Sequence, residues 1–164
     1  MAVPVQAIRE GGPMIPKRFK AEDAVKVFGD FADAMESAPL DRVFNQIVPR
    51  IHDAIADNFI RTRNSSSQVW PPHAPATVAR YGPHPLLILS GKMLRASTTR
   101  GAEGQTETIG PRDLRLGVTI PYAKYQQFGT SRIPAREFYY VHEENLESIR
   151  EPFEDLCFEF LVGG

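Results

Sequence analysis

The residues of this 164-residue chain best suited to bind a metal or act as a nucleophile are His52, His73, His84, His142 and Cys157. A zinc site gathers three or four such ligands, usually from pairs spaced a few residues apart on a loop or a helix. None of the five has a second ligand at that spacing. His142-Glu143-Glu144 comes nearest, but consecutive side chains point in different directions, so it is not read as a ligand set. Ser90-Gly91 lacks the Gly-x-Ser-x-Gly frame of a nucleophile elbow. Gly101-Ala-Glu-Gly104 lacks the Lys and Ser/Thr of a phosphate loop. The sequence therefore predicts no enzyme, no catalytic residue, no cofactor and no metal. Arginine stands apart. Arg95, Arg100, Arg112, Arg115, Arg132 and Arg136 can meet phosphates, and arginine also anchors protein interfaces.

Those last two arginines close the most informative stretch. Leu114, Leu116, Val118 and Ile120 alternate with Arg115, Gly117 and Thr119, the period of a strand with one buried face. Pro121 ends the ladder and suits the first turn of a helix. Tyr122, Tyr125 and Phe128 are three apart, which lines them along one side of a two-turn helix closed by Gly129. Pro134 and Arg136 bracket a turn, and Phe138-Tyr-Tyr-Val141 reads as a second short strand. The unit is an aromatic clasp at a sheet edge, suited to packing and to docking. Phe128 and Phe138 are weighted toward the core, whereas Tyr122 and Tyr125, with polar tips, suit half-buried interface positions.

The same residues resemble the signature of the tailed-bacteriophage virion morphogenesis (tail-completion) family. Its members read Tyr-Ala-x-x-His/Gln-x-Gly and then a Pro-x-Arg-x-Phe turn. Here Tyr122-Ala123 leads to Gln126-Gln127-Phe128-Gly129, a modest departure, and then to Pro134-Ala135-Arg136-Glu137-Phe138. Two upstream features agree in order: Trp70-Pro71 after a long helix, and Leu86 to Ser97, similar to the family's Leu-x-x-(Thr/Ser)-Gly-x-Leu-x-x-Ser element. The similarity runs over roughly residues 40 to 160. It implies a structural virion protein, a subunit of the neck or tail-completion ring (head–tail connector region) that joins the head connector to the tail during assembly. The implied partners are further copies of the chain in a homo-oligomeric ring and other phage neck, connector and tail proteins, with DNA passing through the lumen without specific binding. The implied location is the virion, after synthesis in the host cytoplasm. The reading from another class is a small nucleic-acid-binding or nucleic-acid-processing protein that uses the arginine-rich middle.

Charge placement bears on both. Residues 71–142 hold nine Lys/Arg and four Asp/Glu, a balance of +5, whereas residues 143–164 hold one and seven, a balance of −6. A ring of more than two copies needs two different, complementary surfaces on each subunit. The expected interface pairs Tyr122, Tyr125, Gln126, Gln127, Phe128, Arg132 and Arg136 of one copy with Glu144, Glu147 and Glu151 of the next.

The elements that must position these residues follow from periodicity. Residues 1–20, with three prolines and Gly11-Gly12, form an extended N-terminal arm expected to order only against a partner. Residues 21–164 form a single α+β domain. A helix is expected over Ala21–Glu36, and a long one over Leu40–Arg61, with Leu40, Val43, Phe44, Ile47, Ile51, Ile55 and Phe59 on one face and Pro49 as a kink. Residues 70–85 are expected to cross irregularly, with Trp70 buried. Gly101–Ile109 should pair with Leu114–Ile120 through the turn at Gly110–Asp113. Glu143–Val162 is an amphipathic helix with Leu146, Ile149, Phe153, Leu156 and Phe160 on one face, glutamates opposite, and Pro152 inside. The fold class is a small, mostly antiparallel sheet packed against the long helix and the C-terminal helix. The longest apolar run, Leu86 to Leu89, is too short to cross a membrane, and no signal peptide is read at Met1–Glu10.

Overall fold

The computed structural model describes residues 35–162, together with residues 26, 29, 30, 32 and 33. The expected arm at residues 1–20 lies outside the described residues. The described positions between 26 and 37 are helical, in keeping with the helix expected there. Residues 39–152 form one compact unit, and the described residues before 39 and after 152 belong to a second.

The main unit begins with helix α1, Leu40–Arg61. Val43, Phe44, Ile47, Ile55 and Phe59 are buried, as the apolar stripe predicts, while Leu40 and Ile51 are only partly buried and Val48, outside that stripe, is buried too. The helix runs unbroken through Pro49. It ends where Thr62 turns into the left-handed region at φ 49°, its N–H bonding the Asn58 carbonyl at 2.9 Å. The chain then returns along the helix end through an Arg63–Val69 bridge and buries Trp70.

The proline-rich crossing differs from its expectation. It contains a helix, α2, Pro75–Tyr81, with no buried residue. Pro75 starts it because its fixed φ is already helical and its missing N–H would have had no partner in the first turn. Helix α3, Lys92–Thr98, follows and buries Met93, Ala96 and Ser97. Strands β1, Gln105–Ile109, and β2, Leu114–Val118, then pair antiparallel, with Glu107 opposite Leu116. Their turn closes through Gly110 N–H on the Asp113 carbonyl at 2.8 Å. Helix α3 packs on α1 and on both strands. Arg100 adds a polar tie, bonding Asn45 of α1 at 2.8 Å and pairing with Glu107 of β1. Helix α4, Ala123–Phe128, and helix α5, Glu143–Val162, complete the chain. The fold is α+β.

One core organises this unit: Ile55, Phe59, Trp70, Met93, Ala96, Ile120, Ala123 and Phe138. Phe59 meets the Trp70 ring edge-on at 6.1 Å and the Phe138 ring at 5.5 Å. Helix α3, strand β2, helix α4 and the loops around them thus contribute to a cluster seated on the second half of α1, whereas α2, β1 and α5 supply none of it. No described helix is long and apolar enough to cross a membrane.

Candidate interaction surface

Helix α4 carries the aromatic run, and the sequence dictates its shape. Ala123 is buried beneath it, so the other side chains fan outward and sideways. Gly129 terminates it at φ 71°. A Cβ there would meet the Ala135 nitrogen at 2.8 Å and the Ile133 carbonyl at 3.0 Å, so only glycine fits. The chain then doubles back through Thr130, whose hydroxyl accepts the Arg132 and Ile133 N–H groups at 3.1 and 3.0 Å.

Tyr122 and Tyr125 are 45% exposed and Phe128 is 80% exposed. The core assignment for Phe128 is thus corrected. It sits in the last turn of a helix whose inward position is taken by Ala123, and the closure at Gly129 leaves nothing to cover it. Phe138 does lie in the core. Lys124 Nζ stands 5.0 Å from the Tyr125 ring centre, a cation–π contact. Arg132 is exposed on the neighbouring loop. Together these residues present an aromatic and cationic face.

Gln126, Gln127 and Arg136 work inside the chain. Arg136 is 6% exposed. Its Nε donates to the Pro71 carbonyl and its Nη2 to the Pro72 carbonyl, both at 2.9 Å, while Nη1 donates to Gln126 Oε1 at 3.3 Å. Burial lowers its pKa from the ordinary arginine value. Gln127 Oε1 accepts the N–H groups of Phe138 and Tyr139, each at 3.0 Å. Here the expected strand at Phe138–Val141 is absent, because no neighbouring strand pairs with it. Side chains take the place of a partner strand. Asn58 Nδ2 donates to the carbonyls of Phe138 and Tyr140 at 3.0 and 2.9 Å, and Trp70 Nε1 donates to that of Glu137 at 3.1 Å. Asn58 was missed in the sequence, although its place three residues after Ile55, on the buried arc of α1, marks a polar group needing internal partners.

The acidic residues are also partly committed. Glu144 bonds Arg61 at 2.5 Å and Glu151 bonds Arg50 at 2.7 Å, tying the start of α5 to α1. Arg50 also donates to the Ser148 carbonyl. Both pairs face solvent, which screens them, so they orient the helices more than they stabilise them. Glu147 remains open, its side chain 82% exposed and 3.9 Å from Arg150.

Between α2, α3 and α4 lies a cleft of about 430 Å³. Its wall includes His73 and His84, whose rings stack at 4.2 Å. His73 Nε2–H donates to the His84 carbonyl at 3.2 Å, and His84 Nδ1–H to the Gly82 carbonyl at 2.9 Å. Among the described residues no three His, Cys, Asp or Glu side chains come together as a metal site would need. Comparison with protein-family models, with curated proteins and with solved structures returns no match.

Proposed function

We propose that this chain is a structural protein of a tailed-phage virion, a subunit of the neck or tail-completion ring that joins the head connector to the tail. The observation carrying the reading is the exposed face of α4: Phe128, Tyr122 and Tyr125, with Lys124 and Arg132 beside them. Grouped exposed aromatics next to cations suit a protein partner. The motif resemblance names which assembly, and the charge division supplies the complementary surface. In this arrangement the α4 face of one copy meets the acidic α5 of the next. Glu147 is the acidic residue best placed to take part, because Glu144 and Glu151 already hold α1. Arg136 and Gln127 support the face from within.

Native mass spectrometry of the purified chain, alone and with connector or tail-tube proteins, tests this. The expected result is a symmetric oligomer formed without nucleic acid, weakened by Phe128→Asp and by Arg132→Glu and partly restored when Arg132→Glu is combined with Glu147→Arg. A chain that stays monomeric alone and with every such protein overturns the proposal. Nucleic-acid binding through the arginine-rich middle is less well supported, since Arg100 and Arg115 are paired with Glu107 and Asp113 and Arg136 is buried. That reading requires DNA affinity that falls steeply with salt.

A further inference from the structure

The cleft between α2, α3 and α4 holds a cation with no counterion among the described residues. Arg136 lines it, 6% exposed, and every hydrogen bond it makes goes to a neutral oxygen: the Pro71 and Pro72 carbonyls and Gln126 Oε1. A neutral donor would hold two carbonyls equally well, whereas burying an arginine without an anion is unfavourable. The guanidinium carries five N–H groups. Three are used, leaving one on each terminal nitrogen, the number that a carboxylate accepts in a bidentate pair. Gln126, which receives one Arg136 bond, also lines the cleft.

We infer that this cleft is a binding site for a single carboxylate group, held by Arg136 and walled by Tyr81, Tyr122 and the stacked His73–His84 pair. The charge selects the class. No described Asp or Glu lines the cleft, and its other cation, Lys92, is already neutralised by Glu103 at 2.7 Å. One uncompensated positive charge matches a monoanion and not a phosphate dianion. The volume and the mixed aromatic and polar wall suit a carboxylate borne on a small apolar or aromatic body. The site stands on Arg136 and the cleft alone and does not require the ring. Its carboxylate comes either from an acidic side chain of a second copy or from a free carboxylic acid.

The test is a titration of the full-length chain, followed by NMR shifts of cleft residues, with benzoate, with its neutral isostere benzamide and with inorganic phosphate. Benzoate should bind saturably and at least about tenfold more tightly than benzamide or phosphate, since a charge-assisted pair exceeds a neutral one by about that factor. Arg136→Gln should lose about the same factor. Benzoate and benzamide binding equally, phosphate binding more tightly, no saturable shift at the cleft, or a folded Arg136→Gln variant with unchanged affinity would each overturn the inference. If Arg136→Gln does not fold, the benzoate–benzamide comparison decides. Sedimentation with saturating benzoate then separates the sources. Dissociation of oligomers assigns the carboxylate to a neighbouring copy, and unchanged mass assigns it to a free acid.

Discussion

Replacing Asn58 should damage the protein in a way that depends on what replaces it and on pH. Asn58 is 1% exposed, and its amide nitrogen satisfies two carbonyls, Phe138 and Tyr140, which no strand serves. Asn58→Ala strands both. The bond to Phe138 is buried and that to Tyr140 only partly so. At about 1–3 kcal/mol for a buried acceptor left unpaired, and less where water can enter, the cost should be about 2–4 kcal/mol. Asn58→Asp keeps the shape but aims a carboxylate at the same two oxygens. At pH 8 an uncompensated buried charge of that kind should cost about 3–5 kcal/mol. The new carboxyl is then easier to protonate in the folded chain than in the unfolded one, where its pKa is about 3.9. A group whose folded pKa is raised contributes its stability below the unfolded value and loses it as pH rises through the folded value. Protonated, it also regains an O–H to donate to one carbonyl. Denaturant unfolding of wild type, Asn58→Ala and Asn58→Asp at pH 4, 6 and 8 reads this directly. The Asp variant should approach wild type at pH 4 and fall below the Ala variant at pH 8. An Asp penalty that is the same at all three pH values, or an Ala penalty under about 0.5 kcal/mol, would refute the bracket as a source of stability.

Trp70→Ala should destabilise by about 3–5 kcal/mol, as expected for a buried large aromatic, and thermal melts will show whether the crossing loop depends on it. Gly129→Ala should cost more than about 1 kcal/mol because φ is positive and the Cβ meets the Ala135 backbone, and it should also loosen the α4 face. His52 has its pKa lowered from the ordinary value of 6.5, first by burial and then by Arg100, against opposing pulls from Glu107 and Asp53. The unfolded chain therefore takes up this proton first as pH falls, and stability should decline on acidification through the region below 6.5. His52→Gln should flatten that part of the pH–stability curve.

Much of the frame was legible because its periodicity is strong. The apolar stripe of α1, bounded by Pro39 and by the loop at Asn64–Ser67, gave Leu40–Arg61 as observed. The hairpin followed from alternation and from Gly110, and Trp70 could be placed inside because a large ring in a loop still needs burial. What could not be read is what depends on distant partners. Helix α2 has no buried face, so no hydrophobic period announced it. Phe138 to Val141 has the residues of a strand, but a strand needs a neighbour and the described residues provide none. Arg136 sits in an exposed-looking turn motif, and its burial depends on carbonyls sixty-four and sixty-five residues away. The α4 residues read as docking groups in the sequence divide between an outward set, Tyr122, Tyr125 and Phe128, and an inward set, Gln126 and Gln127, because a helix of only six residues must face both ways.

The side-chain bracket on residues 137–140 has a consequence for how this chain can change over time. Asn58, Trp70 and Gln127 grip that segment by its peptide groups, so these particular bonds survive a change in the side chains they hold. Of the segment's own side chains, Phe138 fills the core, Tyr139 packs against it and Glu137 accepts bonds from Ser65, so the constraint is shared between them and the three gripping residues far off in the chain. The backbone shape that a partner would meet at this segment is therefore set in part by residues the partner never touches.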